Sequence, residues 1–226
     1  TSGQSGSVAA LVGEQVVAQI TLDPQRRSAQ TLAPAMRELL VQAGWQPAMV
    51  DVVGVAVGPG SFTGLRVGVT TAKTFAYAVG CRVVAINTLD VIAEQAQPQV
   101  PLEMSRLSVV IDAQRGDVFA RLYERGAVDT WQPVSPAAIQ SHDAWRASLG
   151  SSTAVSGPAL EKLAPSLSPE VIVMPRELWS PEAVTVGRLA ARCASREQFD
   201  DVWQLAPLYM RRSAAEDVFD RKAAET

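Results

Sequence analysis

The chain has 226 residues, 47% hydrophobic and 19% charged, with a net charge of −3. That length buries a core without disulfides or metals, the composition is that of an ordinary globular protein, and no run of eighteen apolar residues is present to span a bilayer. A protein that grips nucleic acid alone carries a basic surface; the acidic balance argues against that and points to work through a partner.

Residues 7–11 and 15–22 alternate as two strands, with Gly13-Glu14 as their turn. A helix is predicted over 28–43, with Ser28 as N-cap and Gly44 as its stop. Pro34 lies inside it, so the helix either begins near Ala33 or kinks there. The β-branched run 52–57 reads as a strand buried on both faces. A helix over 63–79 ends at Gly80, followed by a strand over 82–86 and a helix over 89–96. The order β-β-α-β-α-β-α fits an α/β lobe with a mixed sheet.

After a linker at 98–101 the pattern begins again. Strands are expected over 107–112, 117–123 and 128–134, then a helix over 135–149, short strands at 154–155 and 171–174, and a helix over 181–195. A weak internal duplication is visible, because a small polar turn followed by a hairpin occurs after Thr1 and again after Ala113. Two lobes are therefore expected, 1–100 and 101–226. The second opens with an apolar strand ending at Asp112, whereas the chain starts at Thr1, where such a strand would end. Either the chain is truncated and its first strand missing, which is the favoured expectation, or the lobe manages without a central strand.

Residues 1–13 lack the basic start of a signal peptide. Cys81 and Cys193 have no metal-ligand spacing and read as free thiols of a cytoplasmic protein. The basic pairs Arg26-Arg27, Arg211-Arg212 and Arg221-Lys222 read as solvated faces. The one histidine, His142, sits on a polar stretch beside Asp143 and is not read as catalytic.

The distinctive segment is Val-Gly-Pro-Gly-Ser-Phe-Thr-Gly-Leu-Arg at 57–66, running from a strand through a glycine loop into a helix. Gly58, Gly60, Ser61, Thr63 and Gly64 form the loop. Glycines permit close approach of backbone N–H groups, and the helix start favours an anion. No Gly-Lys-Ser/Thr closes a P-loop, the spacing G-x-G-x-x-x-G is not the dinucleotide fingerprint, and Ser61 lacks the glycines of a nucleophile elbow. Gly64 and Gly68 share one helical face, so the alternative is close helix packing or partner contact. Both readings of the loop stay open.

This loop resembles the signature of the TsaB proteins, also called YeaZ or inactive glycoprotease-like proteins. Thr1-Ser2 resembles the end of that family's opening Asp-Thr-Ser. Residues 28–34 resemble its Ser-x-x-Leu-Leu-Pro helix start, with Arg27 where histidine is usual. The stretch from Asp112 resembles the opening of its second lobe, and Pro207-Leu-Tyr-Met-Arg its tail. The resemblance implies an actin-like ATPase (ASKHA) α/β fold, two ribonuclease-H-like lobes with mixed sheets, and no catalysis of its own. It implies partnership with the catalytic relative TsaD and the ATPase TsaE, which together transfer a threonylcarbamoyl group to N6 of adenosine 37 of tRNA; tRNA would be met only through the complex. No cofactor is implied. Catalytic relatives carry Asn-His-x-x-x-His, two imidazoles on one helical face; the matching stretch here begins at Asn87, with Thr88 and Ile92 at the ligand positions. The expected TsaD-binding surface lies on the helices 28–43 and 63–79, through Met36, Leu39, Leu40, Leu65, Gly68, Val69 and Phe75. The alternatives are an ATP-binding transferase or metallopeptidase-like enzyme in its own right, or a scaffold that pairs with a second copy on the same surface.

Overall fold

A computed structural model of the chain describes residues 1–3, 6–126 and 131–211; Arg212, the pair Arg221-Lys222 and part of the strand expected over 128–134 lie outside those residues. The first half follows the expected order. Strands β1 (Ser7–Val12) and β2 (Gln15–Thr21) form an antiparallel hairpin, and α1 (Ser28–Ala43) follows. Strand β3 (Val52–Gly58), α2 (Phe62–Val79), β4 (Arg82–Asn87) and α3 (Thr88–Ala96) complete it, β3 and β4 being parallel. Pro34 does not divide α1, which is one helix from Ser28 to Gly44, where the left-handed glycine ends it. The cap is Arg27, with no side-chain hydrogen bond, rather than Ser28.

The second half builds a mixed six-stranded sheet. Strand β5 (Arg106–Asp112) lies between β6 (Asp117–Arg125), antiparallel to it, and β9 (Thr153–Ser156), parallel to it. The order is β10-β9-β5-β6-β7, with β7 (Trp131–Pro133) and β10 (Ile172–Val173) at the ends and β8 (Ala138–Ser141) also paired to β6. The helix expected over 135–149 is half strand. Residues 138–141 join β6, and the helix α4 (His142–Ser148) starts only where the Ser141 hydroxyl accepts the Ala144 N–H at 3.2 Å. A short helix, α5 (Leu160–Leu163), follows β9.

Two clusters fill this half. Leu107, Val109, Phe119 and Tyr123 pack on α3 through Leu89 and Ile92. On the other face Val110, Val118 and Val155 pack on Trp145, whose Nε1 donates to the Ser108 hydroxyl at 3.0 Å. The last helix, α6 (Ala183–Ala194), was expected with the second half but packs on β1, β3 and β4 of the first. Small residues allow this: a Cβ on Gly54 would lie 2.6 Å from that of Ala190, and one on Gly187 2.5 Å from Leu11 Cδ1. Among the described residues no helix is long and apolar enough to cross a membrane.

Candidate functional site

The glycine loop stands at the end of β3 and delivers the chain into α2. Ser61 caps that helix, its hydroxyl accepting the Gly64 N–H at 3.3 Å. The glycines answer a different neighbour from the one expected. A Cβ on Gly60 would lie 2.3 Å from the Ser2 carbonyl oxygen, one on Gly64 1.9 Å from that of Thr1, and one on Gly68 2.3 Å from Thr1 Oγ1. The close approach is thus made by Thr1 and Ser2, not by another helix. Ser61 N–H also donates to the Ser2 carbonyl at 2.9 Å. Gly58, with φ of 128°, is set against the backbone of Leu208.

The loop opens on a cleft of about 1100 Å³ between the two halves. Its far wall is the β5–β6 turn, where Gln114 and Arg115 hold left-handed φ values of 62° and 58°. Such conformations cost of order 1–3 kcal/mol each in non-glycine residues; Asp112 offsets part of this by accepting the Gln114 N–H at 2.7 Å. Lys162 pairs with Asp112 at 2.6 Å, Arg176 with Glu161, and Arg211 with Asp117. Burial works to raise the Asp112 carboxyl, but the bonds from Lys162 and from the Gln114 N–H outweigh it and hold the group below its ordinary range. The same bond raises Lys162. Arg211 further donates to the carbonyls of Ala113 and Gln114.

The segment 200–211 was not anticipated as structural beyond its likeness to a family tail. Asp200 N–H donates to the Val83 carbonyl, Lys73 Nζ to that of Trp203 at 2.7 Å, and Leu208 N–H to that of Val57 at 2.7 Å. It therefore runs over the first half and reaches the second through Arg211. The local signal was the Asp200-Asp201 and Pro207 turn chemistry, which says nothing of a partner far away in sequence.

Thr88 and Ile92 are both buried, Ile92 fully and within the cluster against the second sheet. Asn87 serves as the cap of α3, accepting the Leu89 N–H at 2.9 Å, and Thr88 Oγ1 has no hydrogen-bond partner. Among the described residues no three His, Cys, Asp or Glu side chains gather where a metal would sit. His142 is half-buried at the start of α4, its backbone N–H donating to the Gly116 carbonyl at 3.0 Å. Cys81 and Cys193 fall in different apolar clusters, and burial raises the Cys81 thiol.

The expected partner surface needs correction in its residues. Leu39, Leu65, Gly68 and Val69 are buried in the protein itself, and Met36, Leu40 and Phe75 are half-buried. Met36, Leu39, Leu40, Gly68 and Phe75 line a partly open pocket shared with β1, β3 and α6. The apolar period of each helix points inward, as it must where a helix covers a sheet. The faces left exposed carry Arg37 and Val41 on α1 and Arg66, Thr70, Thr74 and Tyr77 on α2.

Comparison with known proteins fits this architecture. A family model described as "TsaD: tRNA N6-adenosine threonylcarbamoyltransferase" matches residues 15–218. The tRNA threonylcarbamoyladenosine biosynthesis protein TsaB of Bacillus subtilis is 32% identical over 124 residues, 55% of this chain and 52% of that protein. The Escherichia coli TsaB is 28% identical over 131 residues, 58% of this chain and 55% of that one. The chain spans about half the length of the curated relatives it matches. YeaZ from Pseudomonas aeruginosa has the same fold, with a TM-score of 0.79 at 23% identity over 92% of this chain and 96% of that one. With a family model over most of its length, the chain belongs to the TsaD family, and the proteins it is similar to include TsaB and YeaZ.

Proposed function

We propose that this protein serves in the formation of threonylcarbamoyladenosine on tRNA as a non-catalytic subunit that binds a TsaD-type catalytic relative. The lobe 1–100, covered by α6, presents the binding face, and 101–226 forms the second lobe. TsaE joins the assembly, and tRNA is met through the complex. The observation that carries the non-catalytic reading is the state of Thr88 and Ile92. Both positions, ligands in catalytic relatives, are closed inside the molecule, and Ile92 is a core side chain. The actin-like arrangement of two lobes around a cleft is kept as scaffold.

The binding face is revised to the exposed sides of α1 and α2, two helices that pack on each other. Val41 is 73% exposed and Tyr77 66%, large apolar groups of the sort that anchor interfaces. Thr70 and Thr74, exposed on α2, are small enough to let a facing helix come near. Size-exclusion chromatography of this chain with a TsaD protein tests the reading: a shared peak is expected, and Val41→Glu with Thr70→Arg abolishes it in a folded protein. Separate elution of the unmodified proteins at micromolar concentration defeats the proposal; a peak of twice the mass of this chain alone, unchanged by TsaD, supports the self-pairing scaffold instead.

A further inference from the structure

Every exposed aromatic side chain among the described residues lies on α2 or on the segment 199–209: Phe62, Tyr77, Phe199, Trp203 and Tyr209. The other described aromatic rings are buried or half-buried. Large rings left in water at one place mark a surface that another molecule covers. These rings are also ordered along the helix. Phe62 and Tyr209 have centroids 4.9 Å apart, and Tyr77 and Trp203 5.1 Å. The segment therefore runs antiparallel along α2, from Tyr77 back to Phe62, about 22 Å at the helical rise.

The segment is fixed in that place. Leu205 is buried in one cluster with Val69 and Ala76. Lys73 Nζ donates to the carbonyls of Trp203 at 2.7 Å and Leu205 at 3.3 Å. At 3.6 residues per turn, Phe62, Lys73 and Tyr77 share the flank of α2 that meets the segment. Val67 lies on the other flank, toward α1, where it packs with Leu32 and Ala35. Between the flanks stand Thr63, Thr70 and Thr74, all exposed and short. The outer face of α2 is thus low along its middle, with an aromatic rim on the side away from α1.

The rim carries positive charge. Arg66 lies over the Phe62 ring at 5.4 Å and Arg82 over the Phe199 ring at 5.3 Å, both arginines being exposed. Among the described residues neither is in an ion pair. The neighbouring carboxylates are engaged by backbone: Asp200 accepts the Ala85 N–H at 2.7 Å and Asp201 the Trp203 N–H at 2.8 Å. Tyrosine, tryptophan and arginine are the residues in which interface centres are enriched. The rings are engaged with one another and with arginine, rather than ranged singly as a platform for stacked bases, which favours a protein over a nucleic acid.

We propose that the segment 199–209 is the second wall of the docking surface. A helix of the partner lies over Thr70 and Thr74, with its apolar side against Trp203 and Tyr209 and a carboxylate reaching Arg66. The partner is the TsaD-type relative, so this inference rests on the function proposed above and adds to it a segment far from α1 and α2 in sequence.

Hydroxyl-radical footprinting read by mass spectrometry tests it on the full chain, alone and with a TsaD protein under conditions where chromatography gives a shared peak. Oxidation of Trp203 and Tyr209 is expected to fall several-fold in the complex, while that of Leu102, exposed outside this face, is unchanged. Trp203→Ala and Tyr209→Ala remove exposed rings, so both variants are expected to unfold cooperatively as the parent does. Each weakens the complex by about tenfold or more, as loss of a central interface ring does. A shared peak in which both rings stay reactive and both variants bind as the parent does overturns the proposal and leaves the assigned function standing. Absence of any shared peak overturns both. Protection by tRNA without TsaD, or protection that grows with the concentration of this chain alone, also overturns it, since a nucleic acid or a second copy is then the occupant.

Discussion

The Thr1 hydroxyl occupies the space that a side chain at position 68 would need: a Cβ on Gly68 would lie 2.3 Å from Thr1 Oγ1. The glycines of α2 are a seat for Thr1. Gly68→Leu is expected to destabilise the fold by about 1–3 kcal/mol, the usual cost of forcing extra volume into a packed site. Gly150→Ala is the control, because a Cβ there meets nothing nearer than 3.9 Å. Urea titration of both proteins measures the difference; equal midpoints would refute the seat.

Leu39 and Leu40 are neighbours in sequence with different surroundings. Leu39 is 7% exposed and Leu40 half-buried. Leu39→Glu places a carboxylate among apolar groups, and such a charge costs several kcal/mol or forces the structure open. Circular dichroism is expected to show loss of cooperative unfolding for Leu39→Glu and a retained, lower midpoint for Leu40→Glu. Matching midpoints for the two would show that α1 does not present Leu39 to the core.

Asp90 ties the two halves together. It accepts from Tyr123 Oη at 2.6 Å and from Arg121 Nη1 at 2.8 Å, across from α3 to β6. Burial first, then the Asp90 charge, pushes the Tyr123 phenol well above its ordinary range. Asp90→Ala leaves the buried hydroxyl short of an acceptor, at a cost of about 1–3 kcal/mol. Denaturant melts give that number. Ultraviolet titration adds a second check, since Tyr123 is expected to ionise only as the protein unfolds in alkali.

The Asp112 carboxyl is held below its ordinary value of 3.8. Its contribution is therefore complete above the unfolded pKa and is lost as pH falls through the folded one. Acid unfolding of Asp112→Asn is expected to start from a lower stability at pH 6 and to fall less between pH 4 and 2 than the parent does. Parallel pH profiles for the two proteins would show that the bonds from Lys162 and Gln114 do not persist in solution.

Local chemistry set α1 and the order of elements in the first half. The 3.6 period of α1, Gly44 beyond its end and the β-branched run of β3 each act over a few residues, so they are legible without the fold. Even there, Pro34 was ambiguous, because a helix tolerates proline when packing against a sheet repays the lost bond. The error over 135–149 has a similar source: Ser141 is both a good strand end and a good cap, and only pairing with β6 decides where the helix starts. The TsaB-like loop was visible in the residues because its glycines and serine are contiguous.

What tertiary structure alone decided is where each face points and what it meets. Amphipathic period identifies an apolar face but not whether sheet or partner covers it, which is why Leu39, Leu65 and Val69 were expected outside and lie within. The return of α6 to β1 and β3, the run of 200–211 to Arg211 and the pocket lined by β1, β3 and α6 join residues far apart in sequence. Such contacts form because buried area and satisfied backbone groups outweigh the entropy of closing a long loop, and that cost grows only slowly with loop length. Nothing in a local run of residues encodes which distant surface it will find.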